Sequence, residues 1–200
     1  LENVVAYFGN ARQCTKPWRR TTVGAHPSFM RVSIIVPTLD EACAIVATLV
    51  PLQPLRAAGH EVIVVDGGSA DATVTLAAPF ADRVFVASKG RALQMNAGAA
   101  SAAGDVLLFL HADSRLPDDG IAALARELER SGRRWGRFDV AIAGRARVLR
   151  LVEALMNLRS RATGIATGDQ GIFVERALFA AIGGYPDQPL MEDIELSRRL

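Results

Sequence analysis

From residue 31 onward the apolar positions switch repeatedly between two periods. Residues 31–36 are a continuous β-branched run, 40–58 have helical spacing, 61–65 again fit a buried strand, and 71–80 return to helical spacing. A strand at 83–87, an Ala-rich helix at 91–103, a strand at 105–110 and a helix at 117–130 complete four β-α units. Beyond them, 138–143 fit a strand, 148–161 a helix, 171–174 a late strand, and 192–200 a helix that stops without a capping signal. Strands that are apolar on both faces need helices on both faces. The expected fold class is therefore α/β, a mostly parallel sheet flanked by helices, with right-handed crossovers.

Residues 1–29 lack this periodicity. They are punctuated by Pro17, Gly24 and Pro27, and Trp18-Arg19-Arg20 is their one amphipathic patch. They are expected to be a peripheral or artefactual N-terminal extension, with Met30 as the natural start. Residues 30–200 are expected to be one domain, truncated at its C-terminus. No basic start followed by a run of roughly 7 to 15 apolar residues precedes Met30, so no secretory signal is expected.

Composition narrows the classes further. Of 200 residues, 50% are hydrophobic and 22% charged, enough for one core-bearing domain, and no run approaches the roughly 20 apolar residues of a membrane span. The formal charge is +2 and acids are interleaved with the arginines, lysine occurring only at Lys16 and Lys89, so no nucleic-acid stripe is expected. Cys14 and Cys43 fit neither metal-ligand spacing nor a disulfide framework. The expected setting is cytoplasmic, with contact at the inner face of the membrane left open. His26, His60 and His111 form no metal cluster, and the first two are expected on the surface or in loops.

Ligands of open parallel sheets bind outside the carboxyl ends of the strands. The residues there are Pro37-Thr38-Leu39-Asp40-Glu41, Asp66-Gly67-Gly68-Ser69-Ala70-Asp71, Lys89-Gly90-Arg91 and His111-Ala112-Asp113. Asp40, Asp66 and Asp71 each fit turn or helix-cap duty taken singly. The third triplet differs, because an apolar strand delivers Asp113 to the sheet edge well before the next helix. Neither G-x-G-x-x-G nor a P-loop is present, and Asp66 would set a negative charge where a pyrophosphate should lie. No Gly-x-Ser-x-Gly elbow occurs. One carboxylate to accept hydrogen bonds from a base or ribose, and a second to hold a divalent cation against a diphosphate, suit a nucleotide-sugar donor. Lys89 or Arg91 would meet phosphate oxygens.

Together these residues resemble the family-2 glycosyltransferases of GT-A fold, across essentially residues 31–200. Ser33-Ile34-Ile35-Val36-Pro37-Thr38-Leu39-Asp40-Glu41 is similar to the strand-Pro-x-x-Asn-Glu start, with Asp40 in place of Asn. Asp66-Gly67-Gly68-Ser69-Ala70-Asp71 resembles the nucleotide-binding Asp-x-x-Ser-x-Asp turn, and Arg91 through Asn96 and Gly98 the Arg-x-x-x-x-Asn-x-Gly helix. His111-Ala112-Asp113 stands at the Asp-x-Asp position, with His111 replacing the first acid. Gly168-Asp169-Gln170-Gly171 resembles the acceptor-side strand, and Glu192-Asp193 the Glu-Asp motif that carries the general base. Gly183-Gly184-Tyr185-Pro186 and the 192–200 segment are similar to the radical-SAM/selenodomain-associated, arsenosugar-type subgroup.

The resemblance implies an inverting, metal-dependent transfer of a sugar from a UDP- or GDP-type donor to an acceptor hydroxyl. Asp193 would be the catalytic base and Asp113 the ligand of Mg or Mn. Pro37, Thr38, Glu41, Asp66, Ser69, Lys89, Arg91 and Ala112 would bind the nucleotide-sugar, and Asp169, Gln170 and Glu192 the acceptor or sugar. Glu192 and Asp193 equally suit the first turn of a helix, and Trp135 and Phe138 suit core packing or an acceptor wall. Two rival classes are a nucleotidyltransferase, which should carry a Gly-rich, Arg-containing loop after the first strand, and a non-catalytic nucleotide-sugar or glycan-binding module.

Overall fold

A computed structural model describes residues 6–12, 30–188 and 190–200. The strands are β1 (Ala6–Arg12), β2 (Val32–Thr38), β3 (Glu61–Asp66), β4 (Arg83–Val86), β5 (Val106–Phe109), β6 (Ser114–Arg115), β7 (Trp135–Ile142) and β8 (Phe173–Glu175). The helices are α1 (Ile45–Leu49), α2 (Gln53–Ala57), α3 (Thr73–Ala77), α4 (Arg91–Ser101), α5 (Gly120–Ser131), α6 (Arg147–Thr163), α7 (Arg176–Ala181) and α8 (Glu192–Arg199). The strands form one sheet in the order β4-β3-β2-β5-β8-β7-β1-β6. From β4 to β5 every pairing is parallel; β8 reverses, and β7 pairs antiparallel to β8 and so runs with β5 again.

The continuous apolar runs explain the centre of this sheet. β3 is buried at all its positions and β5 likewise. One cluster, with Val32, Ile34, Val36, Val62 and Val64, packs beneath α1 and α5; the other, with Ile35, Ile63, Val65, Leu107 and Phe109, packs against α4, α7 and α8. Gly98 lets α4 seat on the sheet, since a Cβ there would stand 2.5 Å from Ile35 Cγ2.

Three local differences from expectation have physical causes. The helical stretch at 40–58 breaks into α1, a 3₁₀ turn (Val50–Leu52) and α2, because Pro51 and Pro54 supply no N–H to continue one ladder. His60 stands in the loop before β3, one of the two placements expected of it, but it is buried there, 9% exposed, and its Nδ1 accepts the Val32 N–H at 3.1 Å. Within 1–29, the stretch Ala6–Arg12 pairs with β7 and β6 and so adds a strand where no alternation signalled one; His26 and the Trp18 patch lie outside the described residues. Among the described residues no helix is long and apolar enough to cross a membrane.

Candidate functional site

Two loops at the carboxyl ends of β2 and β3 are zipped together by their own hydrogen bonds. Asp40 sits in the left-handed region, φ 55°, a conformation that Asp and Asn tolerate. Its N–H donates to Ser69 Oγ at 2.8 Å, and the Ala70 N–H donates to Asp40 Oδ1 at 2.8 Å. The Glu41 N–H reaches Thr73 Oγ1 at 2.8 Å, and the Ala42 N–H reaches Asp71 Oδ2 at 3.1 Å. Gln94 of α4 fastens the same strand ends from below, donating to Thr38 O at 2.8 Å and Val65 O at 2.9 Å. Net of water, each bond of this kind contributes about 0.5 to 1.5 kcal/mol.

Asp66 closes its own turn. It is 1% exposed and accepts the N–H groups of Gly68 at 2.8 Å and Ser69 at 2.7 Å, the Ser69 hydroxyl at 2.5 Å and the Thr38 hydroxyl at 3.3 Å. Burial alone would raise its pKa, but the bonds from Ser69, Gly68 and Thr38 outweigh it and hold the carboxyl below the usual range. Asp66 and Ser69 therefore stiffen the turn after β3, and neither is among the residues lining the cavity to which Thr38 belongs.

That cavity, about 300 Å³, is lined by Pro37, Thr38, Leu39, Glu41, Lys89, Gly90, Arg91, Gln94, His111, Ala112 and Asp113. Its walls carry opposite charge. On one side Lys89 and Arg91 join the N-terminus of the 11-residue α4, whose dipole favours anions. On the other stand Glu41 and Asp113. Burial, then repulsion from Asp113, Asp71 and Asp40, pushes Glu41 above its ordinary value. Ala112 is buried beside them, its carbonyl accepting the Thr48 hydroxyl at 2.5 Å.

His111 joins this cavity to the C-terminal motifs. Burial drives its pKa down and the Arg91 guanidinium pushes the same way, against the pull of Asp113, Asp169 and Asp193. Its Nε2 is buried and has no hydrogen-bond partner among the described residues. A Cβ on Gly168 would stand 2.6 Å from that nitrogen. The Gly168 N–H in turn donates to Asp193 Oδ2 at 2.7 Å, while Asp193 Oδ1 accepts the Ile194 N–H at 2.7 Å. Asp193 is thus a first-turn acid of α8 and a fixed carboxylate next to His111.

The remaining expected contacts divide. Glu192 is buried and paired to Arg91 at 3.5 Å, tying α8 to the cationic wall. Asp169 is half-buried, in a 3₁₀ turn (Gly168–Gln170) that follows α6. Gln170 is fully buried: its Oε1 accepts the Thr167 N–H at 3.0 Å and its Nε2 donates to Asn157 Oδ1 at 3.5 Å, so its amide closes the turn. Leu39, Gly90 and His111, from the strand-end segments, also line the cavity, as does Gln94, which no motif position signalled. Asn96 also works internally, bonding both Tyr185 N–H and O, at 2.9 and 2.8 Å.

A divalent cation is compatible with this chemistry. Two carboxylates that repel one another face a cationic wall, while among the described residues no three His, Cys, Asp or Glu side chains form a ligating group. A hard cation would complete its shell with phosphate oxygens and water, the habit of Mg²⁺ at phosphate sites.

The profile described as "Glycosyl transferase family 2" matches residues 33–175. The chain belongs to glycosyltransferase family 2. Over 109 residues it is 37% identical to a "PGL/p-HBAD biosynthesis glycosyltransferase" of Mycobacterium bovis, with an equal match in Mycobacterium tuberculosis, covering 50% of this chain and 41% of the relative. Among solved structures it is similar to a mannosyltransferase from Pyrobaculum calidifontis in complex with GDP-Man and Mn²⁺, at TM-score 0.65 and 25% identity, covering 92% of this chain and 54% of that one. The fold also matches S. aureus TarS 1-349 in complex with UDP-GlcNAc, at TM-score 0.65 and 18% identity, over 85% of this chain and 53% of that one. This family-2 chain thus has the GT-A architecture and spans about half the length of the proteins it matches. The matches reach the family and not the arsenosugar-type subgroup.

Proposed function

We propose that this family-2 chain transfers a sugar from a nucleoside-diphosphate sugar to an acceptor hydroxyl, inverting the anomeric centre. The observation that carries the reading is the cavity of split charge, bounded by Lys89 and Arg91 against Glu41 and Asp113, with Asp193 beside it across Gly168.

Lys89, Arg91 and the start of α4 would hold the diphosphate, and Pro37 and Thr38 would face the nucleoside over the turn that Asp66 stiffens. Asp113 would hold a divalent cation, Mg or Mn, which when bound neutralises charge developing on the leaving diphosphate. Asp193 would accept the proton of the attacking hydroxyl. Its two backbone bonds fix the carboxylate in place, and a positioned base contributes about 10² to 10⁴ in rate. His111 would pack between the cation region and the base. Asp169, half-buried on the same turn as Gly168, would touch the acceptor. The setting we infer is the cytoplasm, consistent with the free, exposed Cys43.

Support for the donor class comes from the solved relatives, whose complexes hold GDP-Man or UDP-GlcNAc. One observation favours a second reading, binding without turnover: His111 stands where the motif has a carboxylate. A screen of UDP-, GDP- and dTDP-sugars with Mn²⁺ separates the two, scoring thermal shift and release of nucleoside diphosphate. Stabilisation with release supports a transferase; stabilisation without release in the presence of diverse acceptors supports the binding module.

A further inference from the structure

α6 is built inside out. Its polar residues face the domain: Asn157 accepts the Val140 N–H and donates to Val140 O, both at 2.9 Å, and Glu153 accepts the Ile142 N–H, so together they satisfy the edge of β7 that short β8 leaves open. Its apolar residues face away. Val148, Leu151, Val152, Leu155 and Leu158 are 61, 59, 38, 56 and 61% exposed. Spaced by three and four, they form one aliphatic stripe opposite Glu153 and Ser160. Half of the large apolar side chains exposed among the described residues stand on this one helix.

Charge says what covers the stripe. Residues 143–165 hold five arginines against Glu153 alone, +4 in a chain whose total is +2; Arg150 pairs with Glu153 and Arg161 with Asp139, which leaves Arg145, Arg147 and Arg159 outside those two ion pairs. Arg145 and Arg147 are exposed and stand at the N-terminal end of α6, whose first turn holds no acid. Cations there oppose the helix dipole, so their placement serves something outside the helix. A second copy of the chain pairing stripe to stripe would bring two such cationic rims together.

We infer that α6 is a membrane-surface helix, laying its Val and Leu stripe into the headgroup boundary of an anionic bilayer while the flanking arginines meet lipid phosphates. With 17 residues it is about 25 Å long, suited to lying in the interface plane. The inference rests on this face alone and stands apart from the transferase reading.

Co-sedimentation of the full chain with vesicles of phosphatidylcholine, with and without phosphatidylglycerol, tests it. Pelleting is expected with the anionic vesicles only, and Leu151→Gln/Leu155→Gln abolishes it. Arg145→Gln/Arg147→Gln weakens it by roughly thirtyfold, the scale expected for two basic residues at a charged surface. All four positions are exposed, so unchanged thermal melts are expected to show both variants folded. Failure to bind either vesicle, binding indifferent to lipid charge, or a dimer in solution that Leu151→Gln/Leu155→Gln dissolves would each overturn the inference.

Discussion

Gly168 passes so close to His111 that any side chain at 168 would begin 2.6 Å from the His111 Nε2, while the Gly168 N–H holds Asp193. Three motifs far apart in the chain are thereby coupled. His111 of the triplet that follows β5 and the first acid-bearing turn of α8 share one glycine as their spacer.

Gly168→Ala should therefore act on both at once. The new Cβ pushes the loop away from the imidazole and pulls its N–H off Asp193, misplacing the base by a fraction of an ångström or more. Transfer should fall by roughly a hundredfold, with donor affinity little changed because Lys89, Arg91 and Thr38 stay in place. Steady-state release of nucleoside diphosphate, paired with donor calorimetry, checks it. An unaltered kcat would disconnect Gly168 from the chemistry.

Asp193→Asn keeps the side chain's shape and an acceptor for one of its two backbone N–H groups, but cannot take a proton. Transfer should drop by about 10² to 10⁴, with a loss of stability on the order of 1 kcal/mol for the second bond. Full activity in the purified variant would remove the base assignment.

Acidification should destabilise the fold in a defined direction. His60 and His111 are both held below their ordinary 6.5, the first by burial and then Arg31, the second by burial and then Arg91. Each binds its proton at lower pH when folded than when unfolded. Their contribution is complete above about pH 6.5 and is lost as pH falls below it, at up to about 1.4 kcal/mol per unit for each histidine. Asp66, held below 3.8 chiefly by hydrogen bonds that overcome its burial, adds a further loss only below that value. Urea midpoints across this range, with His111→Gln expected to flatten part of the slope, measure the effect; a stability that rises on acidification through pH 6 would contradict it.

Gly98→Ala should cost about 1 to 3 kcal/mol by overpacking, since its Cβ would lie 2.5 Å from Ile35 Cγ2 and 3.1 Å from Val65 Cγ2. Denaturant unfolding measures this loss; no loss would mean that α4 can lift off the sheet freely.

The alternation of periods made the α/β order legible, because a strand buried on both faces, such as β3, leaves a run of apolar residues that no other element here produces. β1 and two-residue β6 were not legible: β1 has no alternation, and its pairing is supplied by β7 across a long stretch of chain. At the site, the residues directly after β2 and β5 could be read as a cleft because topology alone brings them to one edge. What topology does not fix is which way a side chain turns. Asp66 and Gln170 carry motif signals yet spend their polar atoms inside the protein, whereas Gln94 carries none and binds two strand ends. His60 does stand in a loop, but nothing in its neighbours announces that it is buried and that its Nδ1 accepts the first N–H of β2.

The split cavity is tested most directly by titrating a UDP- or GDP-sugar into the wild type and Asp113→Asn, with and without Mn²⁺, in a calorimeter. Saturable heat is expected only for the wild type with Mn²⁺. Equal affinity in the variant, or in the absence of the cation, would contradict a diphosphate held between Lys89, Arg91 and a cation on Asp113.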